Sequence, residues 1–592
     1  MFTERKLALA VRMLTLAVAS GWLTYVGFKN EVPSDSGDGI MHYFYAQAAW
    51  KDPVYFLHHW GKPFFILLSS PFAQFGFNGM IVFNLLVFVS TVWLAYRILD
   101  HFKCNFWIQA MLPLLLILAN DFTTTITGGL TEPFFNLSLA LALYLFIKEK
   151  YVLFAILISF MPFMRSEGQL PVLLAAFMLT FKRSFRSLPY LGFGFLLYAI
   201  AGLLLAKNFF WYFTESPYHM GNDIYGRGTW DHYLISYRSY LGNPGLYASI
   251  LGTVSLIYLL IKRDLKALIP LELLFTYGLF VGVVVVHSYF WATGQNGSLG
   301  LTRIATQGMP LFIAMQLYLI GKLPWLGNKG AVVFSVASVA LIWAVFNSKH
   351  FPVKAKPLEQ HMIKAAEFLK ENTPKHYKVH YHNPFVVYSF GENPFIKGNR
   401  LMYSYFHDLP SRLDKEILPG EFIVWDSHFG PQEAGLPLDT LTSYSQLVKV
   451  FGSLYSENDG PPQGVLVYQY VPVIKQKKTM PVITEFKLDD LVLDQTVEFA
   501  PILKRLPEVK SASTVYLYAK TTIEGLKLVY DRNRTEQYIS HDLKPGEGQT
   551  FMFDWPQGGS TDIYIWNPSR KKGKVILDSV RVESQVFHPV MP

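Results

Sequence analysis

One cysteine, Cys104, stands in the whole chain, so no intrachain disulfide can form and any part outside a membrane must be held by its own core. Charge is also scarce. Asp, Glu, Lys and Arg make up 16% of the 592 residues, where soluble chains carry about 25%, which excludes an ordinary soluble enzyme over the full length. No basic stripe interleaved with aromatics is present. The net charge of +9 therefore reads as lysines and arginines anchoring loops at a membrane, and no nucleic acid partner is expected. Missing too are a Walker loop, a Rossmann glycine fingerprint and a Gly-x-Ser-x-Gly elbow in a strand-to-helix context, which argues against chemistry driven directly by a cytoplasmic nucleotide. No metal-ligand spacing stands out. His58-His59 lacks helical spacing, and the one candidate cofactor is a divalent cation that the scattered outer acids would hold only if the fold gathers them.

What the chain does have is apolar surface, 51% of its residues being hydrophobic. The long apolar runs crowd residues 1–348, and a span needs about 20 residues. Eleven candidates result: 7–28, 77–99, 107–120, 131–147, 151–164, 168–181, 189–210, 246–262, 267–291, 303–321 and 330–347. The first is too long for a signal-peptide core and lacks a small-residue cleavage site, so it reads as a retained helix. Under this count Arg5, Lys6 and Arg12 share one side with most of the basic loops, including Lys182, Arg183, Arg186, Lys262 and Arg263. Acids such as Asp35, Asp38, Asp121, Glu132 and Glu167 fall on the other. That bias predicts a multi-pass plasma (inner) membrane protein with a cytoplasmic N-terminus and, after an odd number of spans, an extracytoplasmic tail.

The tail has two patterns. Residues 350–475 combine helical spacing over 356–372 with strand-like runs, which predicts a small α/β domain. Residues 480–592 show short alternating runs separated by turn-rich linkers, which predicts a β-sandwich. The expected fold is an α-helical polytopic membrane protein over 1–348 carrying both outer domains.

The chemistry is concentrated where helices meet the outer boundary, where ionisable groups are costly and mark function. Asp35 and Asp38 lie in Ser-Asp-Ser-Gly-Asp-Gly, directly after the first span and ahead of an amphipathic helix. One of them suits a general base whose pKa nearby apolar surface would raise; the same residues also read as a turn or a helix cap. Lys62, in His59-Trp60-Gly61-Lys62-Pro63, reads as a partner for a headgroup phosphate or as a snorkelling anchor. Glu132, ahead of Pro133, is a first-turn acid or a second acid facing the same cavity. Arg165-Ser166-Glu167 is an ion-paired turn or a phosphate or sugar contact, and Arg303, opening the tenth span, would clamp an anionic headgroup. The loop 214–245 has the length of a lid or of a plain surface loop.

Together these motifs resemble the GT-C superfamily of membrane glycosyltransferases, with the greatest likeness to the lipid A aminoarabinose transferase and protein mannosyltransferase branch. The residues that carry the resemblance are Asp38 in Gly-Asp-Gly-Ile-Met-His-Tyr, Lys62-Pro63, Glu132 in Leu-Thr-Glu-Pro-Phe-Phe, Arg165-Ser-Glu-Gly and Arg303-Ile-Ala-Thr-Gln-Gly-Met-Pro. The resemblance implies transfer of a sugar from a polyprenyl-phosphate carrier to an extracytoplasmic protein, lipid or glycan, with inversion at the anomeric carbon. By the same likeness Asp38 is the base or orients the acceptor, Lys62 touches the carrier phosphate, and Asp35 and Glu132 are further catalytic acids. His59, Arg165, Glu167 and Arg303 would bind substrate. Two departures stand out: Gly39 follows the lead acid where many members have a second carboxylate, and Ile304 follows the arginine where an aromatic is common. The alternative reading is a transporter or flippase using the same polar residues as a path. The two differ in placement: an enzyme needs Asp38, Lys62, Glu132 and Arg303 in one outward cavity, whereas a transporter strings charges along mid-membrane.

Overall fold

The computed structural model describes residues 2–217, 226–263, 269–295, 298–323, 330–347, 350–407, 409–455, 463–471, 482–487, 489–496, 498–503, 513–532, 538–555 and 561–584. Their contacts divide them into two compact units. One holds Met1–Leu409 with Val424–Leu438, the other Pro410–Ile423 with Asp439–Pro592.

The first unit opens on helix α1 (Phe2–Lys29). Leu16, Ala19, Leu23 and Val26 are buried at helical spacing, while Leu7, Leu14, Tyr25 and Phe28 remain exposed, the pattern of a helix packed on one side and open to lipid on the other. A loop follows, then α2 (Asp38–Ala48), α3 (Pro63–Ala73) and α4 (Phe77–His101). α2 buries Met41, Phe44, Tyr45 and Ala48 along one stripe. α3 begins at Pro63, whose fixed φ and missing N–H suit a first helical position. At eleven residues it covers only about 17 Å at 1.5 Å per residue, too little to cross.

Among the described residues five helices are long and apolar enough to span a membrane: Glu4–Lys29, α4, Phe185–Ala206, Gly242–Ile261 and Pro270–Thr293. The expected straight span at 107–120 is instead broken. Phe106–Ile117 and Asn120–Thr127 meet at 73°, and counted together they make a sixth. The Thr123 hydroxyl donates back across the break to the Ile117 carbonyl at 3.0 Å, and the buried Asn84 amide donates to the Leu130 carbonyl, past the end of the second piece, at 3.0 Å. The remaining candidates are shorter apolar helices, including Glu132–Ile147, Tyr151–Phe163, Ser166–Phe181 and Met309–Ile320. Of the expected lid at 214–245, residues 218–225 lie outside the described residues. The rest forms short helical turns at His232–Ile235 and Tyr237–Tyr240.

The boundary expected at residue 350 is not where the contacts divide. Helix Pro357–Asn372, strands β1 (Val379–Tyr381) and β2 (Leu401–Tyr403), and helix Pro384–Phe390 all group with the membrane helices. The reason is packing on α2 and its neighbours. Phe395 stacks against Tyr45 at 4.5 Å, Tyr388 meets Phe77 at 5.6 Å, and the Asn393 amide donates to the Phe44 carbonyl at 2.8 Å. β1 and β2 pair in parallel, and β3 (Phe422–Asp426) lies on the other side of β1.

In the second unit Leu447–Tyr455 and Gln463–Tyr470 form an antiparallel pair. Beyond them lies a four-stranded sheet ordered Tyr538–Asp542, Lys527–Arg532, Thr561–Trp566, Phe499–Leu503. A second sheet is ordered Gly548–Trp555, Ser513–Thr521, Gly573–Ser584, Val482–Lys487, with Leu491–Leu493 also on Gly573–Ser584. Leu517, Ala519, Ile563, Ile565, Val575 and Leu577 are buried together at every second position, which is how a sandwich core reads in sequence.

Candidate active site

Three acids and one arginine, far apart in the chain, meet at one point. Arg303 lies in the 3₁₀ turn Thr302–Thr306. Its Nη1 donates to Asp35 and its Nη2 to Asp38, while its Nε stands 3.8 Å from the Glu132 carboxylate. Each acid is placed by a local feature. Asp38 is the first residue of α2, and Glu132 opens Glu132–Ile147 with Pro133 behind it, positions where the helix dipole favours a negative charge. Asp35 sits just before α2, where its carboxylate accepts from the backbone N–H groups of Gly37 and Gly39 at 3.2 and 2.8 Å, donors the helix start would otherwise leave unpaired. Exposure separates the acids. The Asp38 side chain is 30% exposed, those of Asp35 and Glu132 12% and 1%, so Asp38 is the carboxylate an incoming group reaches first.

A second arginine extends the network. Arg165 bridges Glu132 at 2.9 Å and Glu167 at 3.2 Å and donates to the Thr131 hydroxyl at 2.8 Å. Glu167 is further held by His287 Nε2 at 3.2 Å and the Gln307 amide at 2.9 Å. Two guanidiniums thus face four carboxylates, and Lys62 lies within electrostatic range of Asp38 and His42. Lys62 is buried, with a left-handed φ of 62° just before Pro63, a costly conformation for a non-glycine residue. It is therefore turned inward, and the reading as a snorkelling anchor falls.

Burial pushes the Asp38 carboxyl up, but Arg303, His42, Arg165 and Lys62 together outweigh it and hold Asp38 below the usual carboxylate value. It is ionised at neutral pH. Burial lowers the neighbouring His42 from 6.5 to about 3, so that ring is neutral. The unfolded chain takes up a proton near pH 6.5 that folded His42 refuses until about pH 3, so stability falls as pH drops through that window. His42→Gln is expected to flatten the fall of the melting temperature between pH 6.5 and 4; a slope equal to that of the parent chain would remove His42 as its source.

Gly39 explains one departure from the family pattern. A Cβ there would lie 1.8 Å from the Gly128 carbonyl oxygen, so no second carboxylate fits after Asp38. Asp35 reaches the same guanidinium as Asp38. Gly39→Ala is expected to push the outer loop off the Gly128 turn, lowering the melting temperature and abolishing activity. Gly21→Ala, where a Cβ meets nothing within 4 Å, serves as the unchanged control.

Of the residues singled out from sequence, Asp35, Asp38, Glu132, Arg165, Glu167 and Arg303 converge, with Lys62 in range. His59 does not stand with them in its described contacts. Its ring packs 4.7 Å from Trp211 and 5.2 Å from Tyr212, with Nε2 at 3.3 Å from the Trp211 carbonyl. Sequence reading missed His42, His287, Gln307 and Thr131. His42 was legible as the residue one turn after Asp38, and His287 as an ionisable group inside an apolar helix. Among the described residues no group of three or more His, Cys, Asp or Glu side chains is placed to hold a metal ion. The acids gathered here surround the Arg303 guanidinium.

No family model and no curated protein sequence matches this chain. Among solved structures, ArnT from Cupriavidus metallidurans matches 77% of this chain and 97% of its own at 12% identity and a TM-score of 0.49. The arabinofuranosyltransferase AftD from mycobacteria matches 98% of this chain and 61% of its own at 10% identity and TM-score 0.42. The arabinosyltransferase EmbB from Mycobacterium smegmatis matches 97% and 64% at 11% identity and TM-score 0.38. This chain spans less than two thirds of the length of AftD and EmbB, and the reading that follows stands on its own residues.

Proposed function

We propose that this protein is an integral membrane glycosyltransferase that moves a sugar from a polyprenyl-phosphate carrier to an extracytoplasmic acceptor, with inversion and with Asp38 as the base. The observation that carries the reading is the meeting of Asp35, Asp38 and Glu132 on Arg303, with Arg165 and Lys62 close by. Sugar transfer from a phosphate carrier needs this set. Asp38 takes the proton of the acceptor hydroxyl while the hydroxyl oxygen attacks the anomeric carbon. The carbon–oxygen bond to phosphate breaks, its electron pair leaving with the polyprenyl phosphate, whose charge Arg303 and Lys62 balance. Arg303 has a double use in this scheme. While it holds Asp38, it keeps that carboxylate weakly basic; a donor phosphate that draws the guanidinium away makes Asp38 a stronger base at the moment one is needed.

Glu132, Arg165, Glu167 and His287 form a buried brace that fixes where Arg303 can reach. We assign the transferred group to the hexose or mannose class and the membrane to the plasma (inner) membrane, with the N-terminus cytoplasmic. The transporter alternative requires charges strung along a central path, and their joining through one guanidinium favours the enzyme. The test is reconstitution of the full chain in liposomes with polyprenyl-phosphate-linked mannose, glucose, galactose or arabinose in turn. Release of free polyprenyl phosphate from at least one is the expected result; release from none would end the proposal.

A further inference from the structure

A second polar cluster lies at the carboxyl ends of β1, β2 and β3. β1 stands between the other two, so the chain leaves it on one side and returns on the other. In α/β sheets, ligands bind outside the carboxyl ends of strands at such a reversal. His382, directly after β1, packs 4.8 Å from the rings of both Tyr403 and Tyr405 beyond it. Its Nε2 lies 3.5 Å from Glu433, in the segment that follows β3. Asp426, the last residue of β3, accepts from the His428 and Phe429 backbone N–H groups at 3.0 and 2.9 Å, and Phe429 brings its ring to 6.0 Å from His382.

The cluster opens outward and does not close into a core. Tyr405 is 53% exposed, with His407 stacked beside it at 16°, and the Glu433 side chain is 28% exposed. Its inner side faces the catalytic helix. Tyr45 of α2 lies within electrostatic range of both Tyr405 and Asp38, and seven residues of helix put Tyr45 about 10 Å from Asp38.

We propose that the carboxyl ends of β1–β3 bind the acceptor as a saccharide, with Tyr405 as the stacking face and Glu433, held from behind by the buried His382, as the hydrogen-bonding partner. The chemistry points to a sugar. An exposed tyrosine ring offers a flat face to the C–H side of a pyranose or furanose, and a carboxylate beside it accepts from the sugar hydroxyls. The position suits an acceptor chain whose growing end lies at Asp38, and in this the inference rests on the glycosyl-transfer reading.

The test uses the full chain in lipid nanodiscs and saturation-transfer NMR with mannotriose, maltotriose and arabinotriose, each titrated alone. At least one triose is expected to receive saturation. Tyr405→Ala should weaken it about tenfold, Tyr405→Phe should restore it because the stacking face remains, and Glu433→Gln should weaken it as well. Absence of saturation for every triose, or Tyr405→Ala binding as tightly as the parent chain, overturns the site. Triose binding through Tyr405 in a protein that consumes no carrier-linked sugar would sink the transfer reading and leave the binding site standing. Carrier consumption with unaltered triose binding in Tyr405→Ala would do the reverse.

Discussion

Asp38→Asn is expected to lower turnover by about 10²–10⁴-fold while the protein still folds and binds the carrier. The substitution keeps the size of the side chain and can still accept a hydrogen bond from Arg303, but it cannot take a proton from a hydroxyl. Asp35→Asn provides the contrast. Asp35 accepts from the Gly37 and Gly39 backbone groups as well as from Arg303, and an amide oxygen preserves that acceptance in part. Its loss should appear first as a lower melting temperature, with a smaller effect on turnover. The assay is release of polyprenyl phosphate at saturating donor, alongside a melt of each variant. Full turnover in Asp38→Asn would move the base to Asp35 or Glu132.

Arg303→Ala should be the most damaging single change to stability. Removing one partner of a buried ion pair costs about 3–5 kcal/mol. Here the 12% exposed Asp35 would lose its ion-pair partner, the 30% exposed Asp38 would be left with water, and Glu132 would keep Arg165 at 2.9 Å. Arg303→Lys should rescue little, since a single ammonium cannot reach three carboxylates as a planar fork does. The pH response separates this account from simple loss of packing. In the parent chain folded Asp38 titrates below its usual value, so its contribution to stability is present above the unfolded value and lost as pH falls through the folded one. Without Arg303, Asp38 loses the strongest of the cations that hold its carboxyl down and burial raises it, so it takes up a proton at higher pH than in the parent chain. The variant should therefore gain melting temperature relative to the parent chain as pH falls. Parallel pH profiles would show that Arg303 does not hold these acids.

Much of the fold was legible because it is written locally. The apolar run of 7–28, the Pro63 and Pro133 helix starts, and the alternating runs of the sandwich each state their own structure within a few residues. The sequence says least where distant parts decide the outcome. The run at 107–120 is apolar enough for a straight span, yet it is broken at 73°, with the Thr123 hydroxyl donating back across the break to the Ile117 carbonyl. Residue 350 reads as a domain boundary because polarity changes there, but Phe395, Tyr388 and Asn393 pack the segment beyond it onto α2 and α4. His59 was chosen for its place beside Lys62; the aromatic pair Trp211 and Tyr212, more than 150 positions later, set where its ring lies.

The sequence alone determined that this protein lives in a membrane and carries acids and arginines at the ends of its helical segments, since hydrophobic length and helix-end charge are properties of short stretches. Only the tertiary structure decided that those charges form one site. Arg303 reaches Asp35 across 268 positions, and no local pattern encodes a contact that exists only after the helices have packed and glycines at 39 and 128 have let two backbones touch.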